Sequence, residues 1–163
     1  MSRLVPTAEM TLGPFFPREF AQQASDLAGD FSAAIEITGV VTELDGKPLD
    51  NVILEIWQAD AAGRFDNPGF SGWGRAATDA RGVYRFRTIR PGAAPGRAPH
   101  VNFLILYSGL MRQLQTVMFF SAAPDPVLNV VKAKERLIAR QSGNTYTFDI
   151  RLRGGEETPF FDD

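Results

Sequence analysis

The chain has 163 residues, 17 basic and 19 acidic side chains for a formal charge of −2, a single histidine (His100) and no cysteine. Those counts exclude disulfide frameworks, zinc ribbons, iron–sulfur clusters, thiol catalysis and any metal site that needs two histidines from one chain. The near balance of charge gives no electrostatic reason to expect nucleic acid, and no apolar run approaches the ~18 residues of a membrane span.

The first 31 residues read as an irregular arm. Pro14 and Pro17 in TLGPFFP oppose helix, and the following EFAQQASDL is compatible with a short helix. From Ala33 the pattern turns to β, with Ile35, Ile37 and Val41 alternating with polar residues. Asp45 to Pro48 is turn chemistry, and VILEIW (52–57) follows as a more buried strand. Further strands are expected at VYRFRTI (83–89), VNFLILY (101–107), LQTVMFF (114–120) and YTFDIRL (146–152). Good helix formers over Val131 to Gln141 predict one short helix there, with Lys132, Lys134, Arg136 and Arg140 on its solvated face. Regular strand spacing, 15 glycines and 11 prolines favour an all-β fold: an antiparallel two-sheet β-sandwich with an irregular N-terminal arm. Domain limits of 1–31 for the arm and 32–163 for the sandwich follow. The opening MSRLVPTAEM has no apolar signal-peptide region, so the cytoplasm is the expected location.

Two Gly/Pro-rich loops, Asp60 to Ser71 and Pro91 to Pro99, interrupt the strands, and the second runs into His100. A lone histidine is ordinarily a hydrogen-bonded structural residue, since a metal needs several convergent ligands. Asp60 and Asp66 could suggest paired carboxylates, but nothing else converges on them. Phe119 and Phe120, adjacent on a strand, must face opposite sides.

Four phrases in register resemble the intradiol ring-cleavage dioxygenases: LEIWQADAAGRFD (54–66), GRAATDARGVYRFRTIRPG (74–92), APHVNF (98–103) and YTFDIRLRGGEETPFF (146–161). The resemblance implies a β-sandwich and, in catalytic chains, ferric iron held by two tyrosinates and a His-x-His pair. Phenolate oxygen suits Fe(III), and imidazole completes the set. At the matching positions this sequence has Phe65, Ala94, His100 and Asn102, so one ligand of four is retained. No catalytic residue and no metal ligand are therefore expected in this chain.

Some enzymes of this family, acting on protocatechuate, pair two homologous chains, of which only the beta chain binds iron. The sequence resembles the non-iron alpha chain of such a pair, and GEETPFFDD and PHVN are the phrases that carry that likeness. The resemblance implies an iron-binding beta partner, a higher assembly of alpha–beta pairs and a protocatechuate-type substrate in a shared pocket. It also implies that Thr11, Gly13, Pro14 and Phe15 line that pocket from the arm. Three departures stand out. The segment from the arm to the first strand and the loop from Asp60 to Ser71 are shorter than in alpha chains. Ser108 replaces an arginine of alpha chains, and Arg97 keeps an arginine that catalytic chains carry before His-x-His. The competing expectation is a stand-alone, non-catalytic β-sandwich module derived from the family.

Overall fold

The computed structural model describes residues 24–161. In β1 (Ala34–Thr42) half-buried and buried side chains alternate along the whole strand, so Ile35, Ile37 and Val41 enter the core and Glu36 and Thr38 do not. The other strands are β2 (Ile53–Gln58), β3 (Trp73–Ala77), β4 (Val83–Ile89), β5 (His100–Leu106), β6 (Leu114–Phe119), β7 (Arg140–Ser142), β8 (Thr145–Thr147) and β9 (Ile150–Arg151). They form two sheets. One has the order β4-β1-β8-β7 with β9 also on β1, and the other has the order β3-β2-β5-β6. The second is antiparallel throughout. In the first, β1 pairs antiparallel with β4 and parallel with β8 and β9, a mixed arrangement that alternation along one strand cannot reveal.

The inner faces meet in an aromatic core. Tyr84, Phe86, Phe103 and Phe148 pack edge-on or tilted with centroids 5.4–6.3 Å apart. The Tyr84 hydroxyl donates to the Phe148 carbonyl at 2.6 Å. Its burial, reinforced by the Asp149 carboxylate, pushes the phenol pKa well above its usual range. Gly39 allows this closeness: a Cβ there would lie 1.9 Å from the Phe148 carbonyl oxygen.

Residues 24–31 run along the strands at one side of both sheets. Arg75 N–H donates to Ala24 O, and Asp26 bridges Arg87 in β4. The expected helix over Val131–Gln141 is corrected. The α-helix is α1 (Pro126–Val130), followed by a 3₁₀ turn at Lys134–Leu137 and then by β7. Asp125 caps α1 by accepting from Val127 N–H, and Pro126 sits where a missing N–H costs nothing. The helix formers of 131–141 are overruled by tertiary pairing, with Ile138 bridging Phe119 and Gln141 pairing with Tyr146. β3 was not expected, because WGRAA lacks the β-branched run that marks a strand.

Candidate functional site

The two loops singled out above leave the same end of the sandwich. Gln58, buried at the end of β2, donates to the carbonyls of Ala59 and Ile89 and accepts from the Thr88 hydroxyl at 2.9 Å. This amide therefore ties the end of β2 to the end of β4, where the loops begin.

Asp60 shapes the first loop. Its Oδ1 accepts from the N–H groups of Ala62 and Arg64, both at 2.9 Å, and Oδ2 accepts from the Asn67 amide at 2.8 Å. The bonds from Arg64 and Asn67 hold its carboxyl below the usual carboxylate range. Asp60 is thus a loop organiser rather than an acid–base group, and Asp66 is turned outward against Arg64. The loops are laced together by backbone. Gly92 N–H donates to Asp60 O at 2.8 Å, and Gly63 (φ 81°) lies so close that a Cβ would meet Ala93 O at 2.0 Å.

This lacing brings the ligand-equivalent positions to one region. Phe65, half-exposed, stacks on Trp57 at a centroid distance of 6.1 Å and 17° between planes. Ala94 lies in the loop that packs on Gly63. His100 and Asn102 share the outer face of β5, two residues apart, and Asn102 is the cross-strand partner of Trp57. The Asn102 amide points to Trp57 O at 3.4 Å.

His100 is buried beside the Phe119 ring. Its Nδ1 lies 2.7 Å from Ala98 O, and a carbonyl only accepts, so Nδ1 carries the proton of the neutral ring. Burial lowers its pKa below the usual histidine value, with Arg97 adding to that effect and the Ala98 bond and Asp125 opposing it. The segment before it is clamped by Asp125, whose side chain is fully buried. Asp125 Oδ2 accepts from Arg97 Nε and Ala98 N–H, both at 2.9 Å. Burial would raise this carboxyl, but the Arg97 bond and the two N–H groups outweigh it and hold it low.

The four positions do not fit ferric iron. A phenyl ring and a methyl group offer no lone pair, and the neutral Asn102 amide is already directed at a carbonyl. Among the described residues no group of three or more His, Asp or Glu could hold a metal ion. Arg97 is engaged by Asp125. Ser108 lies past the far end of β5 from His100, in a cavity of about 330 Å³ with Tyr107 and Arg153. Thr11, Gly13, Pro14 and Phe15 lie outside the described residues. Sequence reasoning did not single out Gln58 or Asp125, although Asp-Pro at 125–126 is a helix-start signal.

The family model described as Dioxygenase matches residues 13–154. The protocatechuate 3,4-dioxygenase alpha chain of Burkholderia cepacia is 32% identical over 99% of this chain and all of its own length. The beta chain of the same enzyme is 39% identical over 77% of this chain, which spans 66% of that beta chain. Among solved structures, the dioxygenase domain of a dioxygenase carbohydrate-binding protein fusion from Streptomyces sp. SirexAA-E has a TM-score of 0.66. It is 30% identical, over 91% of this chain and 98% of that one. The chain belongs to the intradiol ring-cleavage dioxygenases, a family that generally uses Fe(III).

Proposed function

We propose that the chain is the non-iron, alpha-type subunit of a two-chain dioxygenase acting on a catecholic acid such as protocatechuate. The observation that carries this reading is the donor set at positions 65, 94, 100 and 102, where only His100 remains a metal-ligand type and Phe65 is turned onto Trp57. Alignment with an alpha chain over the full length of both supports it.

On this reading a homologous beta-type chain holds the Fe(III). The complex uses O₂ to cleave 3,4-dihydroxybenzoate between its two hydroxyl-bearing carbons, giving 3-carboxy-cis,cis-muconate. This chain alone is inactive and supplies pocket wall and assembly contacts. Its arm, residues 1–31, reaches the partner, with Thr11, Gly13, Pro14 and Phe15 lining the shared pocket, and residues 32–163 form the sandwich. Several alpha–beta pairs assemble in the cytoplasm.

The test is iron analysis, visible absorption and oxygen uptake on protocatechuate. The chain purified alone is expected to be colourless, iron-free and inactive. Co-expression with a chain carrying Tyr, Tyr and His-x-His at the aligned positions is expected to give a coloured, active complex. A coloured, iron-loaded and active preparation of the single chain overturns the reading.

A further inference from the structure

Three arginines from separate elements meet beside the β4-β1-β8-β7 sheet. Arg136 sits on the 3₁₀ turn Lys134–Leu137, Arg140 opens β7 and Arg151 closes β9. All three line a cavity of about 170 Å³. The carboxylates of Glu135, Asp149 and Glu156 line it too, so formal charge is balanced there. What the cavity can take is decided by which of these groups are already spent.

The acceptors are committed. Asp149 Oδ1 accepts from Val40 N–H at 3.0 Å, and Oδ2 accepts from Arg140 at 2.7 Å. Glu156 lies 3.1 Å from Arg136 Nη2 and Glu135 lies 4.0 Å from Arg136 Nε. Arg136 also donates to Glu157 O at 3.1 Å.

The donors are not used up. A guanidinium carries five N–H groups, and Arg140 spends its Nη2 on Asp149. Among the described residues the Arg151 side chain has neither an ion pair nor a hydrogen bond. Thr158, only 3% exposed, lines the same cavity. Its Oγ1 accepts from Arg151 N–H at 2.9 Å, and among the described residues its own proton finds no acceptor. A buried donor left unspent is unfavourable, so this wall calls for an acceptor.

Surplus donors beside committed acceptors suit an anion. Guanidinium groups arriving from different elements match an ion whose oxygens point in several directions, rather than the two coplanar oxygens of a carboxylate. We propose that this cavity binds a small tetrahedral oxyanion of the phosphate or sulfate class. Arg151, Arg140 and the Thr158 hydroxyl hold it. Glu156 competes with it by keeping Arg136 engaged.

The test titrates inorganic phosphate into the full chain at constant ionic strength, read by calorimetry and by the unfolding midpoint. Saturable binding is expected, with a midpoint that rises as phosphate is added. Sulfate is expected to compete for the same site, and whichever of the two binds more tightly identifies the ligand. Acetate is expected to bind about 10-fold more weakly or worse. Arg151→Gln is expected to weaken phosphate binding about 10-fold or more at an unchanged phosphate-free midpoint. Glu156→Gln releases Arg136 and is expected to tighten binding about 3-fold, a gain that a merely structural role for Glu156 would not produce. Arg85→Gln, on the exposed side of β4, is expected to leave binding as it was. The proposal is overturned by a response that does not saturate or that chloride reproduces. It is also overturned by acetate binding as tightly as phosphate, by undiminished binding in Arg151→Gln, or by Glu156→Gln binding no more tightly than the unaltered chain.

Discussion

The two faces of the β3-β2-β5-β6 sheet are built by different rules. Its inner face, with Leu54, Ile56, Phe103, Ile105 and Met118, is sealed against β1, β4 and β8, and every one of these side chains is at most 2% exposed. Its outer face is divided. Near His100 it is covered by α1 and the following 3₁₀ turn through Val117, Phe119, Leu128 and Leu137. Near Trp57 it stays open to solvent. The inner face is constrained by volume, so its residues are large, apolar and periodic. The open half of the outer face is not constrained by volume, and there Phe65, Asn102 and Trp57 lie together with no packed layer over Trp57 among the described residues.

The comparison can be broken from the inside first. Phe103→Ala removes a ring that touches Tyr84, Phe86 and Phe148, and is expected to cost about 3–5 kcal/mol in urea unfolding. A loss near 1 kcal/mol would mean that the inner face is less tightly filled than its burial implies.

At the covered half of the outer face, Asp125→Ala strips the cap from α1 and leaves Arg97 and Ala98 N–H without their acceptor. About 2–3 kcal/mol is expected, read by the same unfolding measurement. His100 then gives a pH signature. Its folded pKa lies below the ordinary 6.5, so the unfolded chain binds more protons as pH falls through that region. Stability contributed by the neutral ring is present above 6.5 and is lost as pH drops through the folded value. Asp26, Asp60, Asp79 and Asp125, all held below 3.8, act in the same direction at lower pH. His100→Gln is expected to flatten the stability profile just below pH 6.5 and to spare the steeper acid limb. An unchanged upper limb would show that His100 does not titrate across unfolding. The smallest effect belongs to the open half. Phe65→Ala loses one exposed stacking contact and is expected to shift stability by about 0.5 kcal/mol.

Most of the sandwich was legible because its strands carry their burial in alternation. VNFLILY announced a central strand, and β5 does lie between β2 and β6. What was not legible depended on partners distant in sequence. KERLIARQ has helical propensity, yet residues 138–142 are claimed by Phe119 and by β8. WGRAA has little strand propensity, yet it pairs along its length with β2. At the candidate site, spacing within the four phrases identified positions 65, 94, 100 and 102. It could not tell that Phe65 would fold back eight residues onto Trp57, because that depends on how Asp60 winds the loop. Nor could it tell that Arg97 is held by a carboxylate 28 residues away.

The placement of β1 has a consequence for how the molecule is made. This early strand takes β4 on one side but waits for β8 and β9 on the other. During synthesis Ile37 and Val41 therefore lack their neighbours Tyr146 and Ile150 until more than a hundred further residues have been made. Its first sheet cannot be completed domain-segment by segment as translation proceeds, and the half-formed edge of β1 is an open template for mispairing in the interval. In a nascent chain of this design the edge of β1 stays unpaired until β8 and β9 are made.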